Sequence, residues 1–196
     1  MSTIRKSAYP IDPIFLNRWS PRSFDATTMP EENLFTILEA ARWAPSAFNI
    51  QPWRFLYSHR DDGNWQHYLS LLDEFNEGWA RHASALIIVI SDTLAPSDDP
   101  TSQKTSHYNS FDSGAAWAQL ALQATTLGYK AHAMAGIHHK VIKESLSIPE
   151  QFRVEIAIAI GKQAAPIQLS TDLQEREQPS LRLPMNEIAY AGSFPR

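Results

Sequence analysis

Residues 42–55 read RWAPSAFNIQPWRF. Trp43, Ser46, Asn49, Gln51 and Trp53 crowd around Pro45 and Pro52. Proline lacks a backbone donor and clashes with the preceding helical turn, so no helix runs through this stretch. A loop carrying so many rings and hydrogen-bonding side chains is expected to meet another molecule, since binding groups concentrate on loops held by a scaffold. Upstream, a helix starts near Pro30. Leu34, Ile37, Leu38 and Ala41 fall at i, i+3, i+4 and i+7, which gives it one apolar face, and Pro45 stops it. Downstream, WRFLYS (53–58) reads as a strand, followed by a turn at Asp62-Gly63.

The remaining chain continues the alternation of helices and strands. Residues 12–18 form a short predicted helix with Asp12 as N-cap and Pro13 in its first position. WQHYLSLLDEF (65–75) has helical period, and ALIIVIS (85–91) reads as a buried strand. Residues 95–110 form a polar loop or lid. FDSGAAWAQLALQATTLG (111–128) is apolar nearly all round, which predicts a buried central helix with Gly128 at its C-cap. KAHAMAG (130–136) is a candidate strand, HKVIKESLSI (139–148) a helix and RVEIAIAIGK (153–162) a strand. From Gln163 the chain is polar and proline-marked. Its last apolar stretch, LRLPMNEIAYA (181–191), reads as a docking arm. One domain spans residues 1–196, with an arm from about 163 to 196, and the class is α/β or α+β.

Composition narrows the functional classes. The chain has 196 residues, 43% apolar and 19% charged, as expected of a globular domain. A net charge of -4, a pI near 6.0 and the lack of a basic run argue against a nucleic-acid partner. With no cysteine there is no disulfide, thiolate metal site or thiol nucleophile. The start, MSTIRKSAYPIDPIF, lacks the apolar core of a signal peptide. ASALIIVI (83–90) is far short of the ~20 residues that cross a bilayer, so no membrane partner and a cytoplasmic location are expected. No dinucleotide glycine fingerprint, phosphate-binding P-loop or nucleophile elbow is present. His132, His138 and His139 lack a metal-ligand spacing and read as exposed or core histidines. Asp98 and Asp99 read as part of a solvated turn. No metal ligand and no catalytic side chain is assigned.

A different constellation stands in RWSPRSF (18–24). Arg18, Ser20 and Arg22 alternate, so in an extended segment they share one face. Two guanidiniums and a hydroxyl suit a phosphate, whose oxygens match the guanidinium fork. A solvated basic turn beside a helix cap has the same residues.

RWSPRSFD (18–25), followed after a helix by APSAFNIQPWRF (44–55), resembles the nitroreductase family of FMN-dependent oxidoreductases. That family carries an R-x-S-x-R/K segment and then a loop of the S-x-x-N-x-Q-P-W type. NEGWARHASALIIVI (76–90) is similar to its asparagine-bearing helix and following strand. DSGAAWAQLALQATTLGYKAHAMAGI (112–137) is similar to its central helix and the glycine-bearing segment after it. SLRLPMNEI (180–188) is similar to its arginine-bearing C-terminal arm. The five pieces keep the family's order over residues 18–188.

The resemblance implies an α+β fold, with a mixed central sheet flanked by helices, in an intertwined homodimer. It implies FMN at the dimer interface, NAD(P)H as electron donor and a small-molecule acceptor such as a nitroaromatic or quinone, with ping-pong kinetics. An enone reductase, an oxidase, a dehalogenase or a non-enzymatic flavin-binding protein remains an alternative on the same fold. Arg18 and Ser20 match positions at the FMN phosphate and ribityl chain, with Trp19 between them. Arg22 matches the cation at the pyrimidine edge of the flavin, and Asn76 an asparagine that hydrogen-bonds that ring. Ala135 and Gly136 match the backbone facing N5, and Arg182 the phosphate-binding arginine of the arm. Pro45, Ser46 and Asn49 would reach the partner's FMN. Gln51 would bind flavin or pin the loop, and Trp53 reads as core. Tyr108 and Phe111 would shape a substrate pocket or clamp the central helix. Trp79 and Ser180 stand where some relatives place further cations, so the expected site is less cationic than theirs.

Overall fold

The computed structural model describes residues 5–96 and 104–195. Asp98 and Asp99, with the rest of residues 97–103 of the expected polar lid, lie outside the described residues. Strand β1 (Trp53–His59) pairs with β2 (Ala85–Asp92), β2 with β6 (Phe152–Gly161), and β6 with β5 (Lys130–Met134). The order is β1-β2-β6-β5. Every pairing is antiparallel, where a mixed sheet was expected. The remaining strands, β3 (Leu94–Ala95) and β4 (Lys104–Thr105), form a small separate ribbon.

Both faces of the sheet are covered, and this explains the unbroken apolar run of β2. Leu86, Ile88 and Ile90 point into one core cluster. Ala85, Ile87 and Val89 point into the other. The second cluster receives Leu34, Ile37 and Ala41 of α2 (Glu31–Arg42) and Ala116, Leu120, Ala121 and Ala124 of α5 (Asn109–Thr126). The first receives residues of α3 (Trp65–Ser70), α4 (Glu74–Ala80), α6 (His139–Ser145) and α7 (Thr171–Arg176). Fully burying one such aliphatic side chain contributes roughly 1.5–3 kcal/mol. No helix among the described residues is long and apolar enough to cross a membrane.

Three expectations change in the folded chain. The predicted helix 65–75 is two helices, α3 and α4. Asp73 interrupts it with extended backbone, accepts from the Asn76 N–H at 2.8 Å, and gives its own N–H to the Gly136 carbonyl at 3.1 Å. A side-chain cap and a distant carbonyl together override the local period. The tail contains α7, anchored by buried Leu169 and Leu173. The central helix is buried along one face only. Phe111, Ala115, Ala118 and Leu122 form a second apolar stripe at i, i+4, i+7 and i+11, and Phe111 is 79% exposed. The short first helix, α1 (Ile14–Asn17), starts where Asp12 accepts from the Ile14 N–H at 2.8 Å.

Candidate functional site

The segment 18–24 bends at Arg22 and is held from behind. Phe24 is fully buried and bridges Gln163. Ser23 donates its hydroxyl proton to the Ala165 carbonyl at 2.7 Å, and its N–H, with that of Arg22, goes to Glu177 Oε1 at 2.8 and 2.7 Å. With its back thus occupied, the segment turns Arg18, Trp19, Ser20 and Arg22 toward a cavity of about 300 Å³.

Arg5, His132, Arg176, Gln178, Ser180 and Arg182 complete its walls, so five arginines converge there. Burial, then the charges of Arg182 and Arg18, lower the proton affinity of Arg5. Burial and then Arg182 do the same to Arg18. A guanidinium remains a cation under such pressure. Arg22 is depressed by burial and by Arg176, and Glu177 offsets part of this. Its Nε is buried without a hydrogen-bond partner among the described residues. A buried charged donor left unpaired costs about 1–3 kcal/mol or more, so the position calls for an acceptor that the described residues do not supply.

His132 forms the floor. Its ring packs 4.7 Å from that of Trp79, and Nδ1 lies 2.9 Å from the Pro21 carbonyl. With a carbonyl as partner, Nδ1 carries the proton. Burial pushes this histidine down to about 4, so it is neutral at ordinary pH. Trp79, expected only as the absence of a cation, is core between Phe24 and His132.

A second cavity, of about 450 Å³, shares Arg18 and Ser20 with the first. Its other walls are Phe15, Trp117, Ala118, Ala121, Leu122 and Ala133. One end of the combined space is thus cationic and the other apolar. That pairing fits a flat apolar molecule with an acceptor-rich edge and an anionic tail, and FMN has those features.

The other expected residues stand elsewhere. Asn76 is 8% exposed and donates from Nδ2 to the Gly136 carbonyl at 3.1 Å. A Cβ on Gly136 would stand 2.0 Å from Asp73 Oδ2, so only glycine fits this approach. Ala135 beside it is exposed. Pro45, Ser46 and Asn49 do not line the arginine cavity of their own chain. Their loop is locked in an unusual shape, with positive φ at Phe48 (51°), Asn49 (55°) and Gln51 (53°). Such residues cost on the order of 1 kcal/mol or more each and cluster at ligand-contacting segments. Asp112 holds the loop through the Ala47 N–H at 3.0 Å, and Ser46 Oγ accepts from the Gln51 N–H at 3.0 Å. Gln51 donates to the Asn49 carbonyl at 2.9 Å, which favours the pinning role. Phe48 is 93% exposed, and Trp53 is buried in the core as expected. Tyr108 and Phe111 are exposed among the described residues, which does not favour a clamp on the central helix.

Arg5, His132, Arg176 and Glu177 were not anticipated. No local spacing marks Arg5 or Arg176. His132 could have been found from its place on an alternating strand next to a segment rich in cations. No cluster of three metal-ligating side chains occurs among the described residues.

Comparison with known proteins extends these observations over the whole fold. The chain is 51% identical to a protein whose solved structure is described as an oxidoreductase containing FMN. The match covers 97% of this chain and 96% of that one, with a TM-score of 0.95. A protein from Exiguobacterium sibiricum 255-15, solved in complex with FMN, is 27% identical over 94% of this chain and 98% of its own, with a TM-score of 0.73. The Bacillus subtilis (strain 168) protein named "Putative NAD(P)H nitroreductase YdgI" is 27% identical, covering 90% of this chain and 94% of its own. Residues 16–162 match the model of the nitroreductase family, and with the two-faced sheet and the arginine cavity in place, the chain belongs to that family.

Proposed function

We propose that this protein is an FMN-dependent oxidoreductase that draws electrons from NAD(P)H and passes them to nitroaromatic, quinone or similar acceptors with ping-pong kinetics. The observation that carries the reading is the pair of adjoining cavities, one lined by five arginines and one apolar, that share Arg18 and Ser20. FMN, when bound, supplies the hydride and electron transfer. The chain's own residues bind and orient it. Arg18, Ser20 and Arg182 present donors to the phosphate and ribityl chain, and Trp19 walls the same cavity. Arg22 brings its positive charge to the pyrimidine edge, where a fixed cation favours the reduced form. Asn76 and the Ala135-Gly136 backbone, fastened to each other, form a rigid corner for the ring.

The reading includes a homodimer, in which Pro45, Ser46 and Asn49 complete the partner's site. The strained loop, with Phe48 exposed on it, and the exposed Phe111 of α5 support it.

An absorption spectrum of the purified protein, followed by addition of NADH or NADPH in an anaerobic cuvette, tests the reading. Flavin bands that bleach on addition, and return with a quinone or nitroaromatic acceptor, are the expected result. Bound flavin that neither nucleotide bleaches would reduce the protein to a flavin binder.

A further inference from the structure

Arg5 belongs to no motif, yet three of its bonds join separate parts of the cavity wall. Its Nη1 donates to the carbonyls of Leu16 at 3.2 Å and Arg18 at 2.7 Å, at the end of α1. Its Nε donates to the Ser180 carbonyl at 3.1 Å, on the arm. The same Ser180 carbonyl accepts from Arg182 Nη1 at 3.3 Å. Arg5 therefore connects the backbone of one phosphate-class arginine to the hydrogen-bonding hub of the other.

The arm needs such a tie. Within one protomer residues 181–195 are exposed, and among the described residues their hydrogen bonds stay within 180–195. The arm's anchors to the body include Glu177, on the N–H groups of Arg22 and Ser23, and Arg5. Docking the arm also brings Arg182 toward Arg5 and Arg18, which repel it. A dianion among the three removes that opposition, so anion binding and arm docking reinforce each other by linkage.

We infer that Arg5 is a positioning residue: it straps Ser180 to Arg18, holds Arg182 at the cavity, and makes the arm close on a phosphate-bearing ligand. The inference rests on the FMN reading above and adds a residue and a motion to it. Riboflavin, which has the ring without the phosphate, separates the two.

The test uses the full chain, as wild type, Arg5→Met and Arg5→Lys. FMN and riboflavin affinities are measured by flavin fluorescence, and trypsin cleavage after Arg176 and Arg182 is followed with and without each ligand. Arg5→Met, which removes all three bonds, should weaken FMN about 10-fold or more and leave riboflavin unchanged. FMN should protect the wild-type arm, riboflavin should not, and Arg5→Met should lose the protection. Arg5→Lys, which keeps the charge but not the fork, should fall between. Equal FMN affinity or equal protection in Arg5→Met overturns the inference. So does an equal loss for riboflavin, which would make Arg5 a general packing residue. If Arg18→Ala weakens FMN while Arg5→Met does not, this inference alone fails. If wild type binds no FMN, the functional reading fails with it.

Discussion

Asn76 and Gly136 lock together: the side-chain amide of one donates to the carbonyl of the other at 3.1 Å, and a Cβ on Gly136 would come within 2.6 Å of that amide nitrogen. Asp73 caps α4 and binds the same carbonyl through its N–H. Gly136→Ala must therefore push Asp73 and Asn76 away together. The expected loss is about 1–2 kcal/mol of stability, the usual cost of a broken helix cap. Urea unfolding checks it, with the change appearing in the midpoint and not in the slope.

Arg18→Ala should weaken FMN binding without altering the spectrum of the FMN that remains bound. A phosphate contact positions the cofactor and does not touch the ring. Loss of a charge-assisted hydrogen bond costs about 1.5–3 kcal/mol, or roughly 10- to 150-fold in affinity. Titration of the apoprotein decides it: a dissociation constant equal to wild type would remove Arg18 from the phosphate.

Much of this architecture was legible because its physics is local. ALIIVIS is unbroken because both faces of β2 are buried, and the apolar face of α2 recurs at helical spacing. Arg18, Trp19, Ser20, Arg22 and Arg182 do share one cavity. What could not be read depends on distant partners. The break at Asp73 needs the Gly136 carbonyl. Arg5 acquires its place only when α1 and the arm meet. The central helix looked buried all round because its second stripe is apolar too, and sequence does not say whether its own chain or another covers it.

His132 gives a pH signature. Folding holds it neutral with its value pushed down to about 4, whereas unfolded histidine titrates near 6.5. Between these values the unfolded chain binds more protons, so stability rises with pH across that window. Conversely, it falls progressively from about pH 6.5 to pH 4 and levels below that. The contribution is up to about 3 kcal/mol. His82 is lowered as well, so the comparison must be wild type against His132→Asn. The variant should show a shallower loss of stability over this range. Parallel curves would mean that His132 titrates normally.

Exposed aromatics predict association. Phe111 at the start of α5 and Phe48 on the loop that Asp112 holds are 79% and 93% exposed, and a partner surface is expected to cover them. The protein should sediment at twice its 22.1 kDa chain mass. Phe111→Asp should shift it toward monomer, by the 2 kcal/mol or more that roughly marks a central aromatic in an interface. A wild-type monomer that holds FMN tightly would remove the dimer from the proposed function.

Arg22→Gln should separate redox tuning from binding. Arg22 has a buried N–H with no partner among the described residues, and Arg176 and Glu177 act on it with opposite charge. Placed at the pyrimidine edge, its guanidinium charge acts where negative charge appears on reduction. Glutamine keeps a donor and removes the cation. If Arg22 favours reduced over oxidised flavin by ~2 kcal/mol, the two-electron potential should drop by about 40 mV, since ~30 mV corresponds to about 1.4 kcal/mol. FMN affinity should fall less than in Arg18→Ala, and reduction by NAD(P)H should slow. A spectroscopic titration against a reference dye measures the shift. A potential equal to wild type within error would take Arg22 off the ring and leave it among the arginines of the phosphate end.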